Sequence, residues 1–263
     1  MTKAFDILCC PKCHEKLNID TSNNTLSCQK ESHRFQIENG IPIFVKREEI
    51  APEDGKWVFE YDETAEKYDE AILEYSTWLG VDIQKEITQL IEKFPIQASQ
   101  QILDVSTGTG NIVFGIKEVY SNLPLKLTAI DLSKGFLQVA QRKFTSAGID
   151  CLLIHSQVNK LPFQDETFDV ITHSGGINTY SDIPGTLEEW TRVLKPDGTL
   201  IFVDEGVSPS VRKTQRGKDI IKANSLFAAH PPLEHLPANV KNIELQWIIR
   251  GTFYVIKCEK GEY

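Results

Sequence analysis

The sequence lacks any long apolar run. No stretch of it approaches the ~20 consecutive apolar residues that a membrane helix requires. The first residues, MTKAFDILCCPKC, contain no extended apolar core and no small-residue cleavage site, so they do not resemble a signal peptide. These absences predict a cytoplasmic protein without a membrane partner.

Positive charge is also in short supply. The chain has 28 Lys and Arg residues against 37 Asp and Glu residues, which gives a formal net charge of −9. Because nucleic-acid-binding domains more often carry an excess of basic residues, no DNA partner is expected, and RNA stays an alternative. The length of 263 residues, 41% of them hydrophobic, suggests one large domain or a medium domain with a small appendage.

Cysteine is scarce after residue 28, because four of the six cysteines lie at or before that position. In a reducing cytosol this clustering indicates a metal site rather than disulfides. The pairs Cys10-x2-Cys13 and Cys28-x4-His33 are fourteen residues apart and can converge on one tetrahedral zinc ion. Since four protein ligands leave no open coordination position, the Zn²⁺ is predicted to be structural.

The first 47 residues are predicted to form a zinc-ribbon-like module with a hairpin turn at TSNN. About 45 residues cannot bury a large core, so a metal ion would contribute much of the stability. Cys9 and His14 stay open as competing ligands, although the Cys-Pro-x-Cys spacing favours Cys10. The charged segment 48–56 is predicted to be a linker, and residues 57–263 are predicted to form the main domain.

The main domain begins with a helical pattern from Trp57 to Phe94, whose acidic stretch Glu60–Glu70 is interpreted as a solvated helix face. Strand-like and helix-like segments then alternate, which predicts a parallel sheet with helices on both sides. Two last strand-like segments meet at Gly251-Thr252 and predict an antiparallel hairpin. The expected fold is therefore α/β, with a Rossmann-like doubly wound seven-stranded sheet and an N-terminal zinc ribbon. The first five strand-like segments are QILDVS, LKLTAID, CLLIH, FDVITH and TLIFVDE.

A nucleotide site is expected beyond the carboxyl ends of these strands, where open parallel sheets bind their ligands. Gly108 and Gly110 supply two of the three glycines of the dinucleotide fingerprint, and Val113 stands in place of the third. A pyrophosphate needs that third glycine for close helix packing, so the pattern disfavours NAD. Asp131 ends the second strand, 23 residues after Gly108, where a carboxylate can accept the ribose hydroxyls.

The segments LDVSTGTGN, LPFQDETFDVI and RVLKPDGTLIFVD resemble the class I S-adenosylmethionine-dependent methyltransferases, most of all the small-molecule, methyltransferase type 11-like branch. The N-terminal segment is similar to modules on some bacterial ribosomal RNA guanine methyltransferases. The resemblance implies S-adenosyl-L-methionine as cofactor, with an acidic residue near the methionine amino group, a glycine loop, a ribose-binding acid and residues beside the adenine. The implied cofactor residues are Asp104, Ser106, Gly108, Gly110, Asp131, Leu132, Gln157, Val158 and His173. Tyr68 is a further candidate, because Tyr61 and Tyr68 are seven residues apart and would share one side of the predicted helix.

The same resemblance implies an in-line methyl transfer, in which the protein mainly aligns the acceptor and excludes water. A base is needed only where the acceptor must lose a proton, and His173 is the predicted catalytic residue, with Asp204 and Glu205 as alternatives. HSGG stands where enzymes that methylate exocyclic amines carry an Asn/Asp-Pro-Pro-aromatic signature, so that subclass is disfavoured.

The predicted function is methyl transfer to a small metabolite or natural product. One alternative is methylation of a guanine ring nitrogen in ribosomal RNA, with the zinc module docking the RNA. A second alternative is a non-catalytic regulator that binds S-adenosylmethionine.

Overall fold

The computed structural model describes residues 2–262, and the eleven strands found in that range belong to one continuous sheet. The N-terminal part contributes β1 (Leu17–Asp20), β2 (Thr25–Cys28), β3 (Arg34–Glu38) and β4 (Ile41–Ile43). The remainder contributes β5 (Gln101–Val105), β6 (Lys126–Asp131), β7 (Cys151–His155), β8 (Phe168–Ser174), β9 (Leu194–Glu205), β10 (Val240–Ile248) and β11 (Phe253–Lys260).

Eight α-helices lie within the same described range, joined in places by short 3₁₀ turns. They are α1 (Pro52–Thr64), α2 (Tyr68–Leu79), α3 (Ile83–Ile91), α4 (Asn111–Val119), α5 (Lys134–Ala147), α6 (Ile183–Val193), α7 (Pro209–Arg212) and α8 (Gln215–Ala223). None of these helices combines the length and the apolar character that crossing a membrane would demand.

The strand order is β1-β2-β3-β4-β7-β6-β5-β8-β9-β11-β10. Strands β7, β6, β5, β8 and β9 are mutually parallel, whereas β11 inserts antiparallel between β9 and β10. The predicted α/β fold with a terminal antiparallel hairpin is confirmed. Because β5 has β6 on one side and β8 on the other, the chain reverses its direction of winding there. This switch point opens the crevice in which such sheets bind ligands.

The N-terminal strands form hairpins because their turns carry residues that favour tight turns. Asp20 accepts hydrogen bonds from the backbone N–H groups of Ser22 (3.0 Å) and Asn23 (3.2 Å), which makes an Asx turn in the predicted hairpin. Asn39 and Gly40 both have positive φ (51° and 83°), the conformation that a two-residue hairpin loop requires.

The N-terminal strands continue directly into the main sheet. Ile43 of β4 pairs in parallel with His155 of β7, and the Phe44 N–H donates to the His155 carbonyl at 2.9 Å. This pairing covers the edge of β7, which would otherwise expose unpaired backbone groups. The predicted linker 48–56 is also shorter than expected, because α1 already begins at Pro52, a residue suited to the first turn of a helix.

Helices α1, α2 and α3, together called the lid helices, cover the carboxyl ends of the strands. The interpretation of Glu60–Glu70 as a solvated face is wrong for Asp62 and Asp69, whose carboxylates bind the main domain. Asp62 Oδ1 accepts hydrogen bonds from Ser133 Oγ (2.6 Å) and the Gly135 N–H (2.8 Å), at the start of α5. The lid carboxylates that bind the main domain elsewhere are Asp69, which contacts Thr109, Asn111 and Lys143, and Asp54, which contacts Ser181.

The junction between β4 and β7 predicts a large cost for truncating Phe44, which is buried against Phe35 with ring centroids 4.8 Å apart. We expect Phe44→Ala to lower the free energy of unfolding by about 3–5 kcal/mol, measured by urea denaturation. The matched control is Leu73→Ala on α2, because Leu73 is 66% exposed and its loss should change stability by less than about 0.5 kcal/mol. Equal effects of the two substitutions would contradict the importance of the junction.

Candidate functional site

Strands β5, β6, β8 and β9 end at one edge of the sheet, beside a cavity of about 230 Å³ that the lid helices cover. Because parallel strands bring their carboxyl ends together, residues that are far apart in the sequence converge on this cavity. The sequence-predicted cofactor residues that line it are Tyr68, Ser106, Gly108, Asp131, Leu132, Gln157 and Val158.

The glycine loop after β5 has a left-handed backbone at three positions, with φ of 52° at Ser106, 55° at Gly108 and 88° at Gly110. Only glycine fits at Gly110, since a Cβ atom there would lie 2.5 Å from the Phe144 ring. Ser106 is strained by its positive φ, and its Oγ lies 2.5 Å from the Tyr180 hydroxyl, a hydrogen bond that offsets part of this strain.

Asp104 lies near the end of β5 and is buried, with 1% of its surface exposed. Its Oδ1 accepts a hydrogen bond from Thr172 Oγ1 at 2.7 Å, whereas its Oδ2 has no partner among the described residues. Burial raises the pKa of Asp104 to about 7, against the opposing effect of its hydroxyl neighbours. An unsatisfied buried carboxyl of this kind would be stabilised by a ligand that carries an ammonium group.

Asp131 at the end of β6 holds two loops together. Its Oδ2 accepts from the Gly108 N–H at 2.7 Å, and its Oδ1 accepts from the Ser133 N–H at 2.8 Å. Burial raises the pKa of Asp131 to about 6, although these backbone donors act to lower it. Since each carboxylate oxygen can accept a second hydrogen bond, both oxygens can also bind vicinal hydroxyls.

The residues beside the expected adenine come from the loops after β6 and β7. The Gln157 side chain donates its amide N–H to the Glu49 carbonyl at 2.9 Å, so its own carbonyl oxygen can face a ligand amino group. His155 contacts the Leu132 carbonyl through Nε2 at 2.9 Å and so positions the neighbouring loop. The contact between Gln157 and Glu49 ties the cavity wall to the segment that follows the N-terminal strands.

An aromatic cluster borders the cavity on the lid side. The Phe136 ring lies 4.7 Å from the Tyr68 ring and 5.1 Å from the Tyr61 ring, between centroids. Burial, followed by the carboxylate of Glu205, raises the pKa of Tyr61 to about 12. Tyr61 lies on α1 and Tyr68 begins α2, so the expectation that the two tyrosines share one side of a single helix is wrong, although both side chains line the cavity.

The cavity also has an apolar part that the sequence did not reveal. Its side chains come from the lid helices, from α4 and from the segment after α8. Because these elements meet only in the tertiary structure, their periodicity in the sequence indicated no more than core packing. The apolar residues in this part of the lining are Ile72, Ile83, Ile87, Ile112 and Leu226.

The four predicted metal ligands converge in the N-terminal module. The ligand atoms of Cys10, Cys13, Cys28 and His33 all lie within 4.8 Å of one another. Cys10 Sγ is 3.4 Å from His33 Nδ1, and Cys13 Sγ is 3.5 Å from Cys28 Sγ. Cys9 lies outside this group and is buried, with its backbone N–H donating to the Pro162 carbonyl at 2.8 Å.

Comparison with known families gives two matches along the chain. The model described as the ubiE/COQ5 methyltransferase family matches residues 57–215, and the model described as Trm112p-like protein matches residues 3–40. The first match covers more than half of the chain. This chain belongs to the ubiE/COQ5 methyltransferase family. The predicted resemblance to S-adenosylmethionine-dependent methyltransferases and the predicted N-terminal module are thereby confirmed.

Curated relatives in the ubiE/COQ5 family are related to the chain over part of its length. A demethylmenaquinone methyltransferase of Thermotoga maritima is 33% identical over 147 residues, which are 55% of this chain and 59% of the relative. The ubiquinone/menaquinone biosynthesis C-methyltransferase UbiE of Desulfotalea psychrophila is 36% identical over 104 residues, which are 40% and 41%. The chain thus spans about half the length of these two relatives.

A solved structure shows the same fold. It is the complex between the Haloferax volcanii Trm112 methyltransferase activator and a methyltransferase, matched with a TM-score of 0.55 at 15% identity. The match covers 78% of this chain and 98% of the matched chain.

His173 stands apart from the site of this ubiE/COQ5 family member. It is buried with 1% exposure and is absent from the cavity lining. Its Nδ1 lies 3.1 Å from the Val105 carbonyl, and its ring packs 5.1 Å from the Trp190 ring, between centroids. Burial lowers the pKa of His173 to about 4. Its Nε2 has no partner among the described residues, as is also true of Asp104 Oδ2, and a contact of His173 with cofactor or acceptor stays a prediction.

The raised pKa of Asp104 predicts a pH-dependent stability. The ordinary carboxyl pKa of 3.8 applies in the unfolded chain, so the folded state is favoured by this group below that value and loses the advantage as pH rises through about 7. We expect Asp104→Asn to stabilise the ligand-free protein by about 1–2 kcal/mol more at pH ~8 than at pH ~5.5, measured by thermal unfolding. The exposed Asp197→Asn is the control, and an equal gain at both pH values for Asp104→Asn would contradict the assignment.

Proposed function

We propose that this chain is an S-adenosylmethionine-dependent methyltransferase that methylates a ring carbon of a small aromatic acceptor of the hydroquinone class. The observation that carries the proposal is the continuity of one cavity from the candidate cofactor residues to the apolar lining. The names of the two relatives, a demethylmenaquinone methyltransferase and a C-methyltransferase, support the choice of a quinone-related acceptor and of carbon as the methylated atom.

The candidate cofactor residues fit S-adenosylmethionine. Asp104 has an unpartnered buried oxygen for the ammonium of the methionine part, and Asp131 has acceptor capacity for the ribose hydroxyls. The cofactor has no phosphate, so Val113 is acceptable in place of the third glycine and instead packs in the core. When bound, S-adenosylmethionine would supply a methyl group already activated on a positively charged sulfur.

The remaining task of the protein is to orient the acceptor and exclude water. Aliphatic side chains from four elements suit a flat apolar ring, because burying apolar surface is favourable and does not fix the exact position of the ring. Asp69 holds α2, which carries Ile72, against Thr109, and α3, which carries Ile83 and Ile87, packs against α4. A hydrophobic acceptor would therefore be enclosed beside the candidate cofactor residues.

The proposal predicts methyl transfer from labelled S-adenosylmethionine to a naphthohydroquinone, measured as label in the extracted quinone. Asp131→Ala should weaken cofactor binding about a hundredfold in calorimetry, because two hydrogen bonds to a charged group are lost. The exposed Asp150→Asn is the control and should bind as the wild type does. Cofactor binding without transfer to any hydroquinone, RNA or other metabolite would favour the regulator instead.

We also infer that the N-terminal module holds a structural zinc ion. Three thiolates and one imidazole form the donor set that zinc prefers in closed four-coordinate sites. The close approach of Cys10, Cys13, Cys28 and His33 supports this inference, as does the match of residues 3–40 to the Trm112p-like model. The ion would stabilise the module rather than take part in methyl transfer.

Paired cysteine substitutions test the zinc site. We expect Cys10→Ala to reduce bound zinc from about one ion per chain to none in metal analysis, since a closed site needs all four ligands. The neighbouring Cys9→Ala is the matched control and should retain the metal, because Cys9 lies outside the cluster. Loss of zinc in Cys9→Ala alone would reverse the ligand assignment.

We further propose that the N-terminal module supports the methyltransferase part within one chain. It covers the edge of β7, and the segment that follows it supplies the Glu49 carbonyl that orients Gln157. In the Haloferax volcanii complex a Trm112 activator accompanies a methyltransferase. The fused arrangement would give the same support without the loss of translational freedom that binding a separate partner costs.

A further inference from the structure

We propose that Glu205 is the base that accepts the hydroxyl proton of the methyl acceptor, and that Asp204 is a positioning residue that fixes the backbone of Glu205. Both carboxyls lie at the end of β9 and line the same cavity as the candidate cofactor residues. The inference rests on the proposed function, because it assumes an acceptor with a hydroxylated aromatic ring. It gives to Glu205 the role that the sequence had suggested for His173.

The other carboxylates of the lining are already occupied. Asp54 accepts hydrogen bonds from the backbone N–H and the Oγ of Ser181, at 3.0 and 2.9 Å. Asp182 caps α6 by accepting from the Gly185 N–H at 2.9 Å. Asp131 is bound by the backbone of the cofactor loops. Each of these groups has a structural or cofactor-binding task, which leaves the pair at the end of β9.

The tyrosines of the lining cannot serve as bases near neutral pH. Burial, and after it the charge of Glu205, raises the pKa of Tyr61 to about 12, and burial raises the pKa of Tyr68 and Tyr180 as well. These hydroxyls therefore stay protonated and act as hydrogen-bond donors or acceptors only. The phenols whose pKa is raised in part by the charge of Asp204 or Glu205 are Tyr61, Tyr68, Tyr75, Tyr180 and Tyr254.

Asp204 is held rigidly. It is fully buried, its Oδ2 accepts from the Asn178 N–H at 3.0 Å, and its Oδ1 accepts from the Glu205 N–H at 2.7 Å. Asn178 is itself fixed, since its side-chain amide donates to the Glu205 carbonyl at 2.8 Å and its Oδ1 accepts from the Tyr254 hydroxyl at 3.2 Å. Asp204 thus cannot turn toward an acceptor, whereas the partly exposed Glu205 has the longer side chain and borders the cavity.

Asp204 is the less available carboxyl of the two. Burial, followed by the charge of Glu205, raises the pKa of Asp204 well above its ordinary value. Among residues 5–262, whose side chains the structure describes, no lysine or arginine forms a salt bridge with either carboxyl. Asp204 is thus favoured in its protonated form, which leaves Glu205 as the cavity carboxyl that can meet an acceptor.

Methylation of the ring carbon would begin with the loss of a hydroxyl proton. Glu205 takes the hydroxyl proton of the hydroquinone, and the electron pair moves through the ring to the carbon beside the hydroxyl-bearing carbon. That ring carbon forms a bond with the methyl carbon as the methyl–sulfur bond breaks, and sulfur keeps the bonding pair. The ring carbon then loses its hydrogen as a proton and the oxygen regains one, so that one proton is released for each methyl group transferred.

Kinetics of Glu205→Gln provide the first test. With wild-type cofactor affinity retained, we expect kcat to fall about a hundredfold or more, the usual contribution of a general base. The defect should shrink for hydroquinones of lower pKa, because an acceptor that is already ionised needs no base. The control is Glu244→Gln on β10, where Glu244 pairs with Lys257 at the surface and its loss should leave kcat unchanged.

The pH profile tests the role of Asp204. In the wild type, kcat/KM should rise with pH, because a base must be ionised to accept a proton. Asp204→Asn loses one of the two backbone hydrogen bonds that Asp204 accepts, so kcat should fall while the rising limb remains, whereas Glu205→Gln should abolish the limb. If Asp204→Asn does not fold, Glu205→Gln still tests the base, because the backbone contacts of Glu205 remain.

A binding measurement on the cofactor-free protein provides a readout besides turnover. A carboxylate that accepts a phenolic proton should make 1-naphthol bind about tenfold tighter than 1-methoxynaphthalene, since the ether cannot donate a hydrogen bond. Glu205→Gln should reduce this preference, and Glu244→Gln should keep it. Both ligands can be followed by their own fluorescence.

The outcomes separate this inference from the proposed function. Wild-type turnover with an unchanged kcat and an unchanged naphthol preference in Glu205→Gln would overturn the base and leave the methyltransferase standing. A wild type that methylates no hydroquinone would overturn the proposed function and the base with it. A defect in Glu205→Gln that is independent of the acceptor pKa would assign Glu205 a structural role and also overturn the base.

Discussion

The carboxylate of Asp131 is the interaction on which the site depends. It binds the backbone of the glycine loop through Gly108 and the start of α5 through Ser133. The Ser133 hydroxyl then donates a hydrogen bond to Asp62 of the lid, and the same Asp62 oxygen accepts from the N–H of Gly135. A chain of hydrogen bonds therefore joins the loop after β5, the end of β6 and the lid helices. Loss of the carboxylate would release all three together, which is why its removal should affect cofactor binding so strongly.

The same site is a source of instability. Asp104, Asp131 and Asp204 are all buried, and burial raises the pKa of each. An ionised carboxyl in this environment costs free energy unless a ligand compensates it. The surrounding core offsets that cost with side chains that are fully buried, such as Trp190 and Phe202. The protein thus buries carboxyl groups where chemistry is proposed and relies on apolar packing elsewhere for its stability.

The N-terminal module shows which structural features a sequence pattern can predict and which it cannot. The spacing of Cys10, Cys13, Cys28 and His33 predicted a group that the structure brings together, because two turns of fixed length place the pairs side by side. The pairing of β4 with β7 could not be predicted, since one parallel bridge between distant segments has no local signal. The shortened linker follows from this pairing, which brings the chain to the lid within a few residues.

The sequence by itself determined the α/β class, the strand and helix segments, the glycine loop and Asp131, because periodicity and turn chemistry act over a few residues. Strand β7 has the predicted ends, Cys151–His155. Only the tertiary structure decided which groups meet at the cavity. In the folded protein His173 is buried, and Ser106 has a left-handed backbone. Glu205 lines the same cavity as the lid tyrosines. The physical reason is that side-chain burial and backbone strain depend on contacts between elements that lie far apart along the chain.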